Sequence, residues 1–347
     1  MLKTIIFTTA YNAQHTIRRA VESILNQTHT SLEYYVLDNG STDDTANAII
    51  EYSKIDERIK LIQVNKNDIA NGGAFFHTIV HATNAKYIVW CDADDEYTLD
   101  FLENMIGFAE EDQLDIAACG YEKIDGNTNE VLKHRALTEN LVIHDSLFVE
   151  KFIKYRGFTT YLWGKLYSIP FLKAKKHTGT EEKSRICNDS IWTLGLFKKA
   201  DRAGIYGKAM YKYYQYPRSL SHTNIEESLS SYSDLWNATN QYLKSYGPIS
   251  KTNEDFLYAI HLSLVEEAVE KVFASEMVTD IQLRCLLKIF DDPIWVETMA
   301  RDADPQFRNL AARAAYVDGV KNNILALPGA AEKGTAVAKI FRRLEST

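Results

Sequence analysis

The first hundred residues switch between two hydrophobic periods. Lys3 to Thr9 is a continuous β-branched and apolar run, which predicts a buried strand. Thr16 to Leu25 then places Ile17, Ala20, Val21 and Ile24 at helical spacing. Tyr34 to Leu37 predicts a second strand, and Asp38-Asn39-Gly40-Ser41 a turn. Thr42 and Asp43 are suited to cap a helix carrying Ala46, Ile49 and Ile50. Ile59 to Val64 predicts a third strand and Asn65 to Gly73 a loop. Phe75 to Ala82 predicts a helix and Tyr87 to Trp90 a fourth strand, which stops at Cys91-Asp92-Ala93-Asp94-Asp95.

Strands alternating with helices predict an α/β fold with a mostly parallel central sheet covered by helices. In such sheets, ligands bind beyond the carboxyl ends of the strands. The polar clusters at 38–41, 65–73 and 92–95 fall at those ends. Further along, Ile116 to Tyr121 predicts a strand, Asp125-Gly126-Asn127 a turn, Asp189 to Lys198 a short helix and Met210 to Tyr216 an extended aromatic segment. From about Glu226 the pattern is helical, with Leu257, Ile260, Leu264, Ala268 and Val272 on one face, and Ile281 to Phe290 another apolar helix. A domain change is expected near Asn224, dividing a catalytic domain, 1–223, from a helical domain, 224–347.

Composition narrows the function classes. With 46% hydrophobic and 25% charged residues in 347, the chain has the make-up of a globular protein. A net charge of -8 argues against nucleic acid as a partner, since that surface needs a basic footprint. No apolar run reaches the roughly 18 residues of a membrane span, and the N-terminus reads as a strand, not a signal peptide. Cys91, Cys119, Cys187 and Cys285 are far apart, without metal-type spacing, and are expected to be reduced thiols of a cytoplasmic protein.

The sharpest chemical signal is Asp92-Ala93-Asp94-Asp95. Three carboxylates at the end of a buried strand repel one another in a low dielectric. A divalent cation relieves that, and hard oxygen ligands suit Mg2+ or Mn2+; a solvated acidic turn is the competing reading. Asp38 could accept from a base or ribose, or simply close a turn. Asn67, Asp68, Asn71 and the Gly72-Gly73 pair could let backbone approach a ligand, or form a plain loop. Asp189 is either a helix cap or a general base, and spacing does not choose between them.

Six stretches together resemble glycosyltransferase family 2, with the nucleotide-binding fold called GT-A. They are Thr8-Thr9-Ala10-Tyr11-Asn12-Ala13, Ala20 to Thr28, Val36 to Thr45, Tyr87 to Asp95, Trp163-Gly164-Lys165-Leu166-Tyr167, and Tyr213 to His222. The resemblance covers about the first 220 residues. It implies an inverting, metal-dependent transfer of sugar from a nucleotide-diphosphate sugar, UDP favoured, to a hydroxyl of a glycan or lipid-linked acceptor, as in polysaccharide assembly. It implies that Thr8, Ala10, Tyr11 and Asp38 hold the base and ribose, with Asp92 on the ribose and Ala93 beside it. Asp94 would bind the Mn2+ or Mg2+, completed by His222, with Arg218 closing over the diphosphate. Asp189 would be the catalytic base, and Trp163 and Lys165 would lie on the acceptor side.

Three positions depart from the family pattern: Asn39 where a second aspartate is common, Phe75-Phe76 where an Arg-Asn pair is common, and Asn188 where glutamate often precedes the base. Phe75 would offer an aromatic face to a base or sugar. These departures keep a second reading open, a catalytically weak or silent nucleotide-sugar-binding partner of another transferase. The C-terminal helices also leave alternatives: packing on the catalytic domain, a homodimer, or peripheral contact of Ala336 to Arg343 with an anionic membrane.

Overall fold

The computed structural model describes residues 3–175, 187–216, 225–301 and 310–345. They fall into two compact units, one drawn from 1–181 and 192–217, the other from 182–191 and 218–347.

The first unit opens with β1 (Thr4–Ala10), α1 (Ile17–Leu25), β2 (Leu32–Asn39), α2 (Thr45–Ile55), β3 (Ile59–Val64), α3 (Ile69–Ala82) and β4 (Tyr87–Trp90). The sheet order β3-β2-β1-β4 is parallel throughout, so the ends of β1, β2, β3 and β4 share one rim. Ile5, Ile6 and Phe7 of β1 are fully buried, as a central parallel strand requires. α1 buries Ile17, Ala20, Val21 and Ile24, the face that the periodicity predicts.

Beyond β4 come β5 (Glu96–Tyr97), α4 (Phe101–Asp112), β6 (Ile116–Asp125), β7 (Val131–Arg135), β8 (Leu141–His144), the short helices α5 (Leu147–Glu150) and α6 (Phe152–Tyr155), and β9 (Lys165–Ser168). They are followed by α7 (Ile169–Ala174), α8 (Asn188–Lys199) and β10 (Arg202–Gln215). β9 lies antiparallel between β4 and β6, and β10 runs parallel to β6. β6 and β7 form a hairpin whose turn is closed by Asp125, its Oδ1 accepting from the N–H groups of Asn127 and Thr128.

One local expectation is corrected. The segment through Asn71, Gly72 and Gly73 is not a loop but the start of α3, because Asp68 caps the helix by accepting from the Ala70 N–H. Gly72 is needed there for close approach: a Cβ would lie 3.1 Å from Thr9 and 3.4 Å from Trp90.

The second unit comprises α9 (Ile225–Lys244), α10 (Lys251–Ala274), α11 (Thr279–Phe290), α12 (Pro293–Ala300), α13 (Leu310–Leu325) and α14 (Gly334–Glu345). Its core includes Val269, Leu286, Ile289, Trp295 and Ile340. Cys187 and Ile191 pack into this same core, so a short piece of the expected 1–223 span belongs with the helices. Among the described residues, no helix is long and apolar enough to cross a membrane. In α14, Val337, Ile340 and Leu344 are buried within the helical core, and Lys339 and Arg343 both reach Asp291, at 3.9 and 2.5 Å. All four cysteines are free and buried.

Candidate functional site

The rim at the ends of the parallel strands is held by side-chain to backbone bonds between loops. After β1, Asn12 takes a left-handed φ of 49°. Its N–H donates to Ser41 Oγ, and its Oδ1 accepts from the Thr42 N–H. Asp38, at the end of β2, is 3% exposed, and its Oδ1 accepts from the Ser41 N–H. Gly40 has φ +77°, and a Cβ there would meet the backbone of Lys66 and Asn67 at 2.7 Å. The glycine is therefore required twice, for its conformation and for the approach of the next loop.

Asn39 ties that next loop down. Its Nδ2 donates to Asn67 Oδ1 and to the Asp68 carbonyl, both at 3.0 Å. Its Oδ1 accepts from Asn71 Nδ2 at 2.8 Å. An aspartate at this position has no donor for the first two bonds. The departure from the family pattern at Asn39 is thus matched to the chemistry of residues 67–71.

At the end of β4, carboxylate oxygens of Asp92, Asp94 and Asp95 lie within 4.8 Å of one another. Asp95 is fully buried and already occupied: Oδ2 accepts from the Tyr211 hydroxyl at 2.7 Å, and Oδ1 from the Tyr214 N–H at 2.8 Å. Burial, and then the charges of Asp94 and Asp92, push its carboxyl well above the usual range. Asp92 Oδ1 accepts from Trp90 Nε1 at 2.9 Å. Burial also raises the Asp94 carboxyl, against the pull of its own N–H and of Arg19. Asp94 and Asp92 therefore carry the oxygens most open to an added cation, and two hard carboxylates fit Mg2+ or Mn2+ better than any soft metal.

Arg19, which sequence patterning alone does not single out, braces this turn. One of its Nη atoms donates to the Asp94 carbonyl, and the guanidinium lies 3.5 Å from the centre of the Tyr214 ring. Its partners are 75 and more residues away in the chain, so no local signal could have found it.

Several expected site residues fall elsewhere. Thr8 is fully buried, its hydroxyl accepting from Tyr34, and Ala10 is 1% exposed; of the three residues expected at the end of β1, Tyr11 is the one in the open, at 46%. Ala93 is buried. Phe75 is partly exposed, whereas Phe76 packs against Phe7, Trp90 and Trp192. Trp163 and Lys165 are 4% and 2% exposed. The Lys165 ammonium donates to the Tyr161 and Trp163 carbonyls. Asp189 is exposed in the first turn of α8. Arg218 and His222 lie outside the described residues.

Residues 5–169, from β1 to the start of α7, match the family described as Glycosyl transferase family 2. These residues are those of a glycosyltransferase family 2 domain. The chain is similar to the uncharacterized glycosyltransferase EpsJ of Bacillus subtilis, 26% identical over 259 residues and 71% of each chain. In fold, it resembles Staphylococcus aureus TarS residues 1–349, solved with UDP-GlcNAc (TM-score 0.55, 15% identity, 100% of this chain and 91% of that one). It also resembles a mannosyltransferase of Pyrobaculum calidifontis, solved with GDP-Man and Mn2+ (TM-score 0.50, 14% identity, 99% and 86%). The sheet described above thus has the fold of a glycosyltransferase.

Proposed function

We propose that this transferase moves a sugar from a nucleotide-diphosphate sugar, with UDP the favoured nucleotide, to a hydroxyl of a glycan or lipid-linked acceptor, in a metal-dependent reaction that inverts the anomeric centre. The observation that carries the reading is the cluster of Asp92, Asp94 and Asp95 oxygens within 4.8 Å at the rim where such sheets bind ligands. Asp94, with Asp92 beside it, would hold Mn2+ or Mg2+. When bound, such a cation neutralises charge on the departing diphosphate.

The remaining work falls to the chain. Tyr11 and Phe75, both at least partly exposed, offer aromatic surface to the base or sugar. The Asn39 clamp keeps the 67–71 segment in place beside them. Asp189 is the candidate base, accepting the proton of the attacking hydroxyl as the new bond forms on the face opposite the leaving group.

Titration of Mn2+ into wild type and Asp94→Asn, with UDP present, tests the assignment. Wild type is expected to be stabilised against heat by UDP with Mn2+ and to hydrolyse UDP-sugar, and Asp94→Asn to lose both effects. Equal metal response in the two proteins overturns it.

A further inference from the structure

The register of three strands lines up a second set of groups on one face. In the pairing of β10 with β6 and of β6 with β7, Tyr211, Tyr121 and Arg135 form one row, and Tyr213, Lys123 and Lys133 the next. Paired residues point to the same face of a sheet. The β10 end of this face is tied to the aspartate turn, through the Tyr211 hydroxyl on Asp95. The β6 and β7 side of it carries three cations, Lys123 on β6 and Lys133 and Arg135 on β7. Lys123 sits directly opposite Lys133, an arrangement that costs stability. Among the described residues, none of the three has a carboxylate partner; Glu122 and His134 pair with each other on the opposite face.

Two further observations bear on this face. The Arg135 guanidinium lies over Gly157, in the space that a Cβ there would enter. Burial, with the charges of Arg135 and Lys123, holds the Lys133 ammonium below its usual value. The face is walled by Tyr161 and Trp163, stacked at 4.2 Å, with Tyr213 beside them at 6.0 and 5.5 Å. Of these, Tyr161 and Tyr213 are partly exposed, and their rings suit the apolar side of a sugar ring.

We infer that Lys123, Lys133 and Arg135 form an anion site for a phosphate group carried by the acceptor, two strand spacings, roughly 10 Å, from the tyrosines at the aspartate turn. The acceptor role rests on the transferase reading above; the anion site itself does not. A phosphate relieves the repulsion between cations and takes charge-assisted bonds from them. The phosphate belongs either to a diphosphate linker, as in a lipid-linked sugar, or to a phosphodiester of a polyol chain.

The test is calorimetric titration of the full chain, without divalent metal, with pyrophosphate and with bis-glycerol phosphate. Wild type is expected to bind at least one of them, and the tighter probe identifies the source. Lys133→Gln and Arg135→Gln are each expected to weaken that binding about fivefold to tenfold at low salt. Lys133→Gln is also expected to melt no lower than wild type, since it removes a like-charge pair. Failure of wild type to bind either probe overturns the proposal, as does equal affinity in wild type and the double variant. A chain that binds pyrophosphate but never UDP with metal refutes the transferase assignment of the aspartates and leaves this site standing.

Discussion

The Tyr211 hydroxyl donates to Asp95 Oδ2 at 2.7 Å, joining residues 116 positions apart. Asp95 also accepts from the Tyr214 N–H, so the third carboxylate of the cluster is a structural rivet between the β4 rim and β10. Asp92 and Asp94 are both partly exposed.

Asp95→Asn keeps the shape but has one acceptor oxygen for two donors, so the Tyr211 hydroxyl must turn to accept from the new amide and its own proton loses its buried acceptor. The variant is expected to lose about 1–3 kcal/mol of stability in urea unfolding, and to keep measurable Mn2+ binding. Unchanged stability would show that the two bonds are not both made.

Asn39→Asp removes the donor that serves Asn67 and the Asp68 carbonyl. The expected result is faster amide exchange through residues 66–71 and weaker UDP binding, by a factor of about ten for a loss near 1.4 kcal/mol. Sheet strands should keep their protection. Wild-type exchange in that segment would refute the clamp.

Arg19→Lys retains the charge but not the planar fork that spans the Asp94 carbonyl and the Tyr214 ring. Its KM for donor should rise several-fold, with kcat less affected, if the arginine positions the aspartate turn. A fall in kcat alone, with donor affinity intact, would assign it to a different step.

In the helical unit, His261 is 2% exposed and its Nδ1 has no hydrogen-bond partner. Burial lowers its pKa to about 4, against the opposing charge of Asp292. Above pH about 6.5 both folded and unfolded chains hold it neutral, so it adds no pH dependence there. As pH falls from about 6.5 toward 4, the unfolded chain takes up a proton that the folded one refuses. Stability then drops by roughly 2–4 kcal/mol over that window and levels off below it. His261→Gln should flatten that part of the profile, as read by urea midpoints from pH 7.5 to 4.

The strand from Tyr87 to Trp90 was legible as a short apolar run stopped by polar residues, and that from Ile59 to Val64 as β-branched and apolar residues interrupted only by Lys60 and Gln63. The antiparallel additions were not. β7 is exposed along most of its length and β5 has two residues, so neither carries the buried period that marks a strand. The start of α3 was hidden by its glycines, whose low helix propensity is overridden by the Asp68 cap and by the closeness of Thr9 and Trp90.

The order of residues by itself determined the alternating α/β pattern, the polar rim at the strand ends and the family that residues 5–169 match, because each is written in neighbours a few positions apart. Only the tertiary structure decided which members of the rim are free. It spent Asp95 on Tyr211 and Tyr214, hid Thr8, Trp163 and Lys165, braced the turn with Arg19, and drew Lys123, Lys133 and Arg135 onto the face that begins at Asp95. Those outcomes depend on strand register and long-range hydrogen bonds, which couple residues up to 197 positions apart and leave no mark on local sequence.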